Sequence, residues 1–153
     1  MKTDVRNIYS SQLVTVHETA TLEKAEELMN NYNIRHLPVV DAEDVLVGIL
    51  SKSDFSALKH VDSRLSRFTV ADFMTRPVKA VKKTTTVKEV AQLFINKKIS
   101  SVIVVEEDEA VGIVTSEDLI RLLADNVDFM DEAEQMDLAA LADEGWISTT
   151  MAQ

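Results

Sequence analysis

The chain has no cysteine, which removes a disulfide framework, thiolate metal ligands and a thiol nucleophile together. It has no run of eighteen apolar residues that could span a bilayer as a helix. Its opening residues, MKTDVRNIYSS, lack the apolar stretch of a signal peptide, so the expected location is the cytoplasm, with no membrane partner. Its three histidines, His17, His36 and His60, show no ligand-like spacing, and neither a metal nor a cofactor is expected. There is no GxxxxGK phosphate loop and no Ser-His-Asp order, so an enzyme is not expected either. Positive charge is also scarce. Lys and Arg number 16 against 26 Asp and Glu, and residues 125–153 hold eight of the acids and no base. Without a basic stripe, nucleic acid is not an expected partner.

What the chain does have is a repeat. VGILSKSD, Val47 to Asp54, returns as VGIVTSED, Val111 to Asp118, with a glycine, a hydroxyl residue and an aspartate at matching places. The likeness extends upstream. Leu22 falls on Val87, Met29 on Phe94, Ile34 on Ile99 and Val39 on Val104, at a constant offset of 65 positions. The register slips by one residue only between DAEDVLVG and EEDEAVG, where a turn tolerates a change of length.

Each copy reads as strand, helix, strand, strand, helix. A short apolar stretch, Leu13–Val16 or Val78–Val81, leads to a Thr-rich turn in which Thr21 or Thr86 caps a helix. The buried side of that helix carries Leu22, Ala25 and Met29, or Val87, Val90 and Phe94. The second copy has Glu89 three residues after its cap and so a capping box; the first has Lys24 there. β-branched runs separated by an acidic turn follow, and a second helix is expected from Asp54 and from Asp118. The expected organisation is a first repeat over 5–58, a polar linker over 59–69, a second repeat over 70–124 and an acidic helical tail over 125–153.

RHLPVVD followed by GILSKSDF, and ADFMTRPV opening a second copy that closes with GIVTSEDL, resembles the cystathionine-β-synthase (CBS) domain in its tandem form, from about Val5 to Leu123. The resemblance implies an α/β (α+β) fold of two βαββα repeats related by a pseudo-twofold axis, here with a C-terminal helix added. It also implies two clefts between the repeats, adenosine-containing ligands such as AMP, ADP, ATP or S-adenosylmethionine, and pairing into a homodimer.

The repeated octet has two uses. As structure, Ser51 and Thr115 cap helices while Asp54 and Asp118 complement the helix dipole. As a site, the carboxylate accepts from the hydroxyls of a ribose while nearby N–H groups and the hydroxyl face a phosphate. In similar modules a cleft joins a strand start of one repeat to the hydroxyl-x-x-Asp segment of the other. The better-supported cleft by that rule combines Ala80, Ile99, Ser100 and Ser101 with Ser51, Lys52, Ser53 and Asp54. Ile99 would pack on an adenine face, the serines and Lys52 would meet phosphate, and the Ala80 backbone would meet the base edge. The reciprocal cleft combines Thr15, Ile34, Arg35 and His36 with Thr115, Glu117 and Asp118. There Arg35 would clamp phosphate and a protonated His36 would add charge, but Glu117 stands where the other copy has Ser53 and opposes an anion unless Arg35 neutralises it.

The tail, VDFMDEAEQMDLAALADEGWI, is expected to form a helix with Phe129, Ala133, Met136 and Ala140 on one face, packed on its own module, across a dimer or on another protein. Two functions remain open on this reading. One is a non-enzymatic sensor that binds an adenosine ligand and signals to a regulated protein partner. The other is a ligand-independent dimerisation or protein-interaction module.

Overall fold

A hydroxyl starts each long helix. In the computed structural model, which describes residues 3–55, 58 and 65–126, α1 spans Leu22–Asn31 and its N-cap Thr21 accepts from the Lys24 N–H at 3.2 Å. Helix α2, Val87–Lys97, closes a full box: Thr86 accepts the Glu89 N–H, and the Glu89 carboxylate accepts the N–H and O–H of Thr86 at 2.8 and 2.7 Å. Helix α1 buries Leu22, Ala25 and Met29; α2 buries Val90 and Phe94.

Three strands accompany each helix: β1 Val16–His17, β2 His36–Val40 and β3 Leu46–Ser51, then β4 Ala80–Lys82, β5 Ser101–Glu106 and β6 Glu109–Thr115. The leading strand of each sheet starts later than its apolar residues suggest. Leu13 and Val14 stay outside the ladder: both line a cavity, and Val14 also packs, partly buried, on the first core. In both sheets the leading strand runs parallel to the middle one, with Val16 opposite Val39 and Val81 opposite Val104. The hairpins pair His36 with Ser51 and Ser101 with Thr115, and each carries a register shift at the same place, Val39/Val40 and Val104/Val105. Their turns differ. Asp41 Oδ1 accepts from the N–H of Glu43 and of Val45 across the longer one, whereas Glu107 and Asp108, at φ 49° and 67°, make the shorter with two consecutive left-handed residues.

The two cores exchange their lead-in segments. Val5, fully buried, packs with Val90, Phe94, Val102, Val104 and Val114 of the second repeat, and its N–H bonds the Thr85 carbonyl at 2.9 Å. Val70, equally buried, packs with Leu22, Met29, Leu37 and Leu50 of the first, and its N–H bonds the Ala20 carbonyl at 2.8 Å. Ser10 bridges Ile113 just as Thr75 bridges Ile49. Every one of these partnerships is the other shifted by the repeat offset, so the exchange is symmetric. It also explains the repeated glycine. A Cβ on Gly112 would lie 2.5 Å from the Ser10 carbonyl oxygen, and one on Gly48 would lie 2.5 Å from Met74 Sδ, because the exchanged segment crosses each hairpin there.

After Ser51 the chain makes a short 3-10 turn, Lys52–Phe55, which buries Phe55. The remainder of the expected first-copy helix falls mostly outside the described residues. In the second copy the expected helix is α3, Ser116–Asn126. Within the expected linker, Leu65–Arg67 forms a 3-10 turn from which Leu65 packs, partly buried, on the first core; residues 59–64 lie outside the described residues. Residues 1–122 make up one compact unit and 123–153 a second, of which only Leu123–Asn126, the last residues of α3, are described. The expected tail helix therefore lies outside the described residues. Among the described residues no helix is long and apolar enough to cross a membrane, and no group of three or more His, Asp or Glu is placed to hold a metal.

Candidate functional site

The second octet closes a full capping box, and the first makes its return half. Asp118 Oδ2 accepts the N–H of Thr115 at 2.7 Å and its O–H at 3.0 Å, while Thr115 Oγ1 accepts the Asp118 N–H at 3.4 Å. Asp54 Oδ2 accepts the N–H and O–H of Ser51 at 2.7 and 3.0 Å, and the Ser51 and Ser53 hydroxyls lie 2.7 Å apart. Capping occupies one oxygen of each carboxylate. The other, Oδ1, takes no hydrogen bond among the described residues, so each half-buried aspartate keeps an acceptor for something else.

A cavity of about 580 Å³ opens where the segment before β1, the start of β2 and the first turns of α3 converge. Ile34, Arg35 and His36 face it with Thr115, Glu117 and Asp118, so six residues of the reciprocal cleft are brought together. Thr15 is not in the lining; Leu13 and Val14, immediately before it, are. Of the set around Asp54, Ser51, Lys52, Ser53 and Ser100 line this same cavity, whereas Ala80, Ile99, Ser101 and Asp54 do not. Ile99 packs, partly buried, against the second core, Ser101 is buried in β5, and Ala80 lies exposed at the start of β4 opposite Ile103.

Backbone bonds hold the strand starts against the helix starts. The Arg35 carbonyl accepts the Lys52 N–H at 2.8 Å, and the Ser100 carbonyl accepts the Ser116 N–H at 2.9 Å. Between the repeats, His36 Nε2 lies 2.8 Å from Ser100 Oγ. Burial pushes the His36 imidazole below its ordinary 6.5, the Arg35 charge pushes the same way, and Asp54, Asp118 and Glu117 oppose. The ring is half withdrawn from water between the two repeats, which works against the protonated His36 expected from the sequence.

Glu117 finds its cation on its own helix. Arg121, one turn further along α3, pairs with it at 3.2 Å, and no Arg35–Glu117 pair forms among the described residues. Lys52 Nζ donates to Asn30 Oδ1 at 3.2 Å. The exposed guanidinium of Arg35 has neither a hydrogen bond nor an ion pair among the described residues.

Sequence reasoning missed Gln12, Leu13, Val14, Ile113 and Ile120 as lining residues. Ile120 carried a signal: it lies 66 % exposed on a helix whose core contact is made by Leu119. The lead-in residues carried none, because only the exchange of segments brings them to this place.

Residues 5–59 and 70–125 each match the CBS domain family. Among curated proteins, the chain is 35 % identical over 119 residues to an L-aspartate semialdehyde sulfurtransferase of Methanocaldococcus jannaschii, covering 77 % of this chain and 23 % of that one. It is 32 % identical over 110 residues to the inosine-5'-monophosphate dehydrogenase of the same organism, covering 71 % of this chain and 21 % of that one. The chain thus spans less than a quarter of either relative. Among solved structures, it is similar to the CBS domain pair of protein MJ0100 in complex with 5'-methylthioadenosine and S-adenosyl-L-methionine, with a TM-score of 0.73 and 34 % identity, covering 83 % of this chain and 100 % of that one. A CBS-domain containing protein from Agrobacterium tumefaciens shares the fold, with a TM-score of 0.73 at 22 % identity over 79 % of this chain and 93 % of that one.

Proposed function

This chain belongs to the CBS domain family, with two copies in tandem, and we propose that it is a regulatory module that binds an adenosine-containing ligand in the cavity between the β2 start and α3. The observation that carries the reading is the meeting of Ile34–His36 with Thr115–Asp118 around one cavity of about 580 Å³, a size that suits a small organic ligand. The free Asp118 Oδ1 receives the ribose hydroxyls, Ile34 and Ile120 offer apolar contact to the base, and the Thr115 side supplies the helix start. A related CBS pair was crystallised with two adenosine derivatives, which supports the ligand class. The enzyme activities named for the longer relatives are no part of the proposal, since the match covers under a quarter of each.

A ligand here touches both repeats at once. It stabilises the repeat packing that presents both walls and so shifts the population toward it, by no more than its difference in affinity between arrangements. The proposal includes a homodimer and a protein partner that read this shift. A second reading has its own support: the bonds from each aspartate back to its own hydroxyl residue account for both octets without any ligand, which fits a ligand-independent interaction module. Thermal unfolding against AMP, ADP, ATP, S-adenosylmethionine and 5'-methylthioadenosine separates the two. A ligand that binds only the folded state raises the midpoint by mass action. A rise that disappears in Asp118→Ala supports the sensor; no rise with any of them at millimolar concentration favours the interaction module.

A further inference from the structure

Helices α1 and α2 occupy equivalent places in the two repeats, and their outer faces carry opposite charge. On α1 the residues turned away from the core are Glu23, Glu26, Glu27 and Asn30, which with Thr21 and Lys24 line a groove of about 580 Å³. Lys24 is held by Glu27 at 3.0 Å, and Glu23 and Glu26 have no ion pair among the described residues. Shifted by the repeat offset, the same face of α2 carries Lys88, Ala91, Gln92 and Ile95. The acid of α2, Glu89, is closed into the capping box with Thr86. The ammonium groups of Lys88, Lys97 and Lys98 are exposed and have no ion pair among the described residues. Ile95, beside them, is 75 % exposed, a large apolar side chain that packs on neither core. The inward faces of the two helices are both apolar, so only the outward chemistry is reversed.

We infer that the acidic face of α1 in one copy docks on the lysine-bearing face of α2 in a second copy, so that the first repeat of each chain meets the second repeat of the other. This rests on the proposed homodimer and goes further by naming which faces meet and what fixes their orientation. A twofold pair could instead set like repeats together. That arrangement brings Glu23 and Glu26 against their own copies and Lys88 against its own, which repels on both sides. The crossed pairing neutralises both faces and takes Ile95 out of water. The charges therefore favour one orientation and also reject the other. A second copy is the occupant because it brings the complementary charge on the equivalent helix of the same fold, twice per pair.

The test is sedimentation equilibrium of the full chain as native protein, Lys88→Glu, Glu23→Lys and the double variant Glu23→Lys/Lys88→Glu. The native chain should self-associate, and less tightly as salt is raised to about 0.5 M. Each single variant should weaken the association by about tenfold, because it sets like charges against each other at both contacts; the double variant, which swaps the signs, should recover to within about threefold. Orientation is read separately. The native chain has no cysteine, so Glu27→Cys and Gln92→Cys chains each carry one thiol. A short bifunctional maleimide should join the first chain to the second in a mixture and neither to its own kind. Single charge variants that associate as tightly as the native chain, or Gln92→Cys chains that cross-link to themselves, overturn the inference and leave the homodimer standing, with the lysine face then open to another anionic partner. A native chain that stays monomeric at about 0.1 mM overturns both.

Discussion

The two repeats agree in backbone and disagree at the edges of their clefts. Parallel pairs, hairpin pairs, register shifts and exchanged lead-in segments all superpose by the repeat offset. The side chains at the β2 and β5 starts do not: Arg35–His36 in one, Ser100–Ser101 in the other. The helix starts diverge likewise, with Lys52–Ser53 against Ser116–Glu117. Hydrogen bonds and buried aliphatic residues are enough to keep the duplicated architecture, which leaves cleft-facing side chains free to diverge. The result is a symmetric scaffold around unequal chemistry.

The largest way to strain that symmetry is at its glycines. In Gly112→Ala the new methyl meets the fixed Ser10 backbone as well as the Tyr9 ring, whereas in Gly48→Ala its nearest neighbours belong to the flexible Met74 side chain. Overpacking should cost about 3 kcal/mol in the first and about 1 kcal/mol in the second, read as urea midpoints at constant m-value. Equal losses would mean that the lead-in segments do not cross the hairpins as described.

The aspartates sharpen the comparison next. Asp118→Ala should weaken an adenosine ligand by roughly thirtyfold through loss of charge-assisted bonds to the ribose, and Asp54→Ala by less than threefold, both by calorimetry. Each should also lower stability by about 1 kcal/mol, because each carboxylate accepts the N–H and O–H of the hydroxyl residue three positions earlier. If Asp54→Ala proves the more damaging to binding, the cleft around Ile99–Ser101 is the working one.

A smaller contrast lies at the long helices. Thr86→Ala removes the cap bond from the Glu89 N–H and the hydroxyl's bond to the Glu89 carboxylate, and Thr21→Ala removes a single bond. The expected costs are about 1.5 and about 0.7 kcal/mol, measurable by chemical denaturation.

The subtlest difference is one of pH. The His36 pKa lies below 6.5 in the folded chain, so the unfolded chain takes up the proton first as pH falls. The stability contributed by its neutral form is complete above about 6.5 and is lost as pH drops through that value toward the folded pKa. His36→Gln should therefore show a shallower fall in stability than the native chain between pH 7 and 5.5. A Ser101→Ala control, altering the equivalent place in the second repeat, should keep the native slope; identical slopes in all three chains would remove His36 from the account.

Much of this was legible before any coordinates. Thr21 and Thr86 cap where the hydroxyl-before-apolar pattern places them, and the missing return bond at Lys24 follows from its lack of a carboxylate. The buried faces of α1 and α2 follow the helical period, and the extra residue of the first copy sits in the hairpin turn. The leading strands were harder, because Leu13 and Val14 meet the cavity or the core without joining a ladder and look the same in sequence as residues of one. The cavity was half legible. Arg35, His36 and Asp118 could be grouped through the repeat, but Gln12 and Leu13 could not, since their neighbours lie far away along the chain.

By itself, then, the sequence determined the repeat, the elements within it and the chemistry of each octet, all of which depend on interactions within a few residues. The tertiary structure decided which lead-in segment completes which core, that no Arg35–Glu117 pair forms among the described residues, and that His36 lies half-buried against Ser100 with its pKa lowered. Those outcomes turn on distances between residues remote along the chain and on how much water reaches them, which periodicity and spacing do not encode.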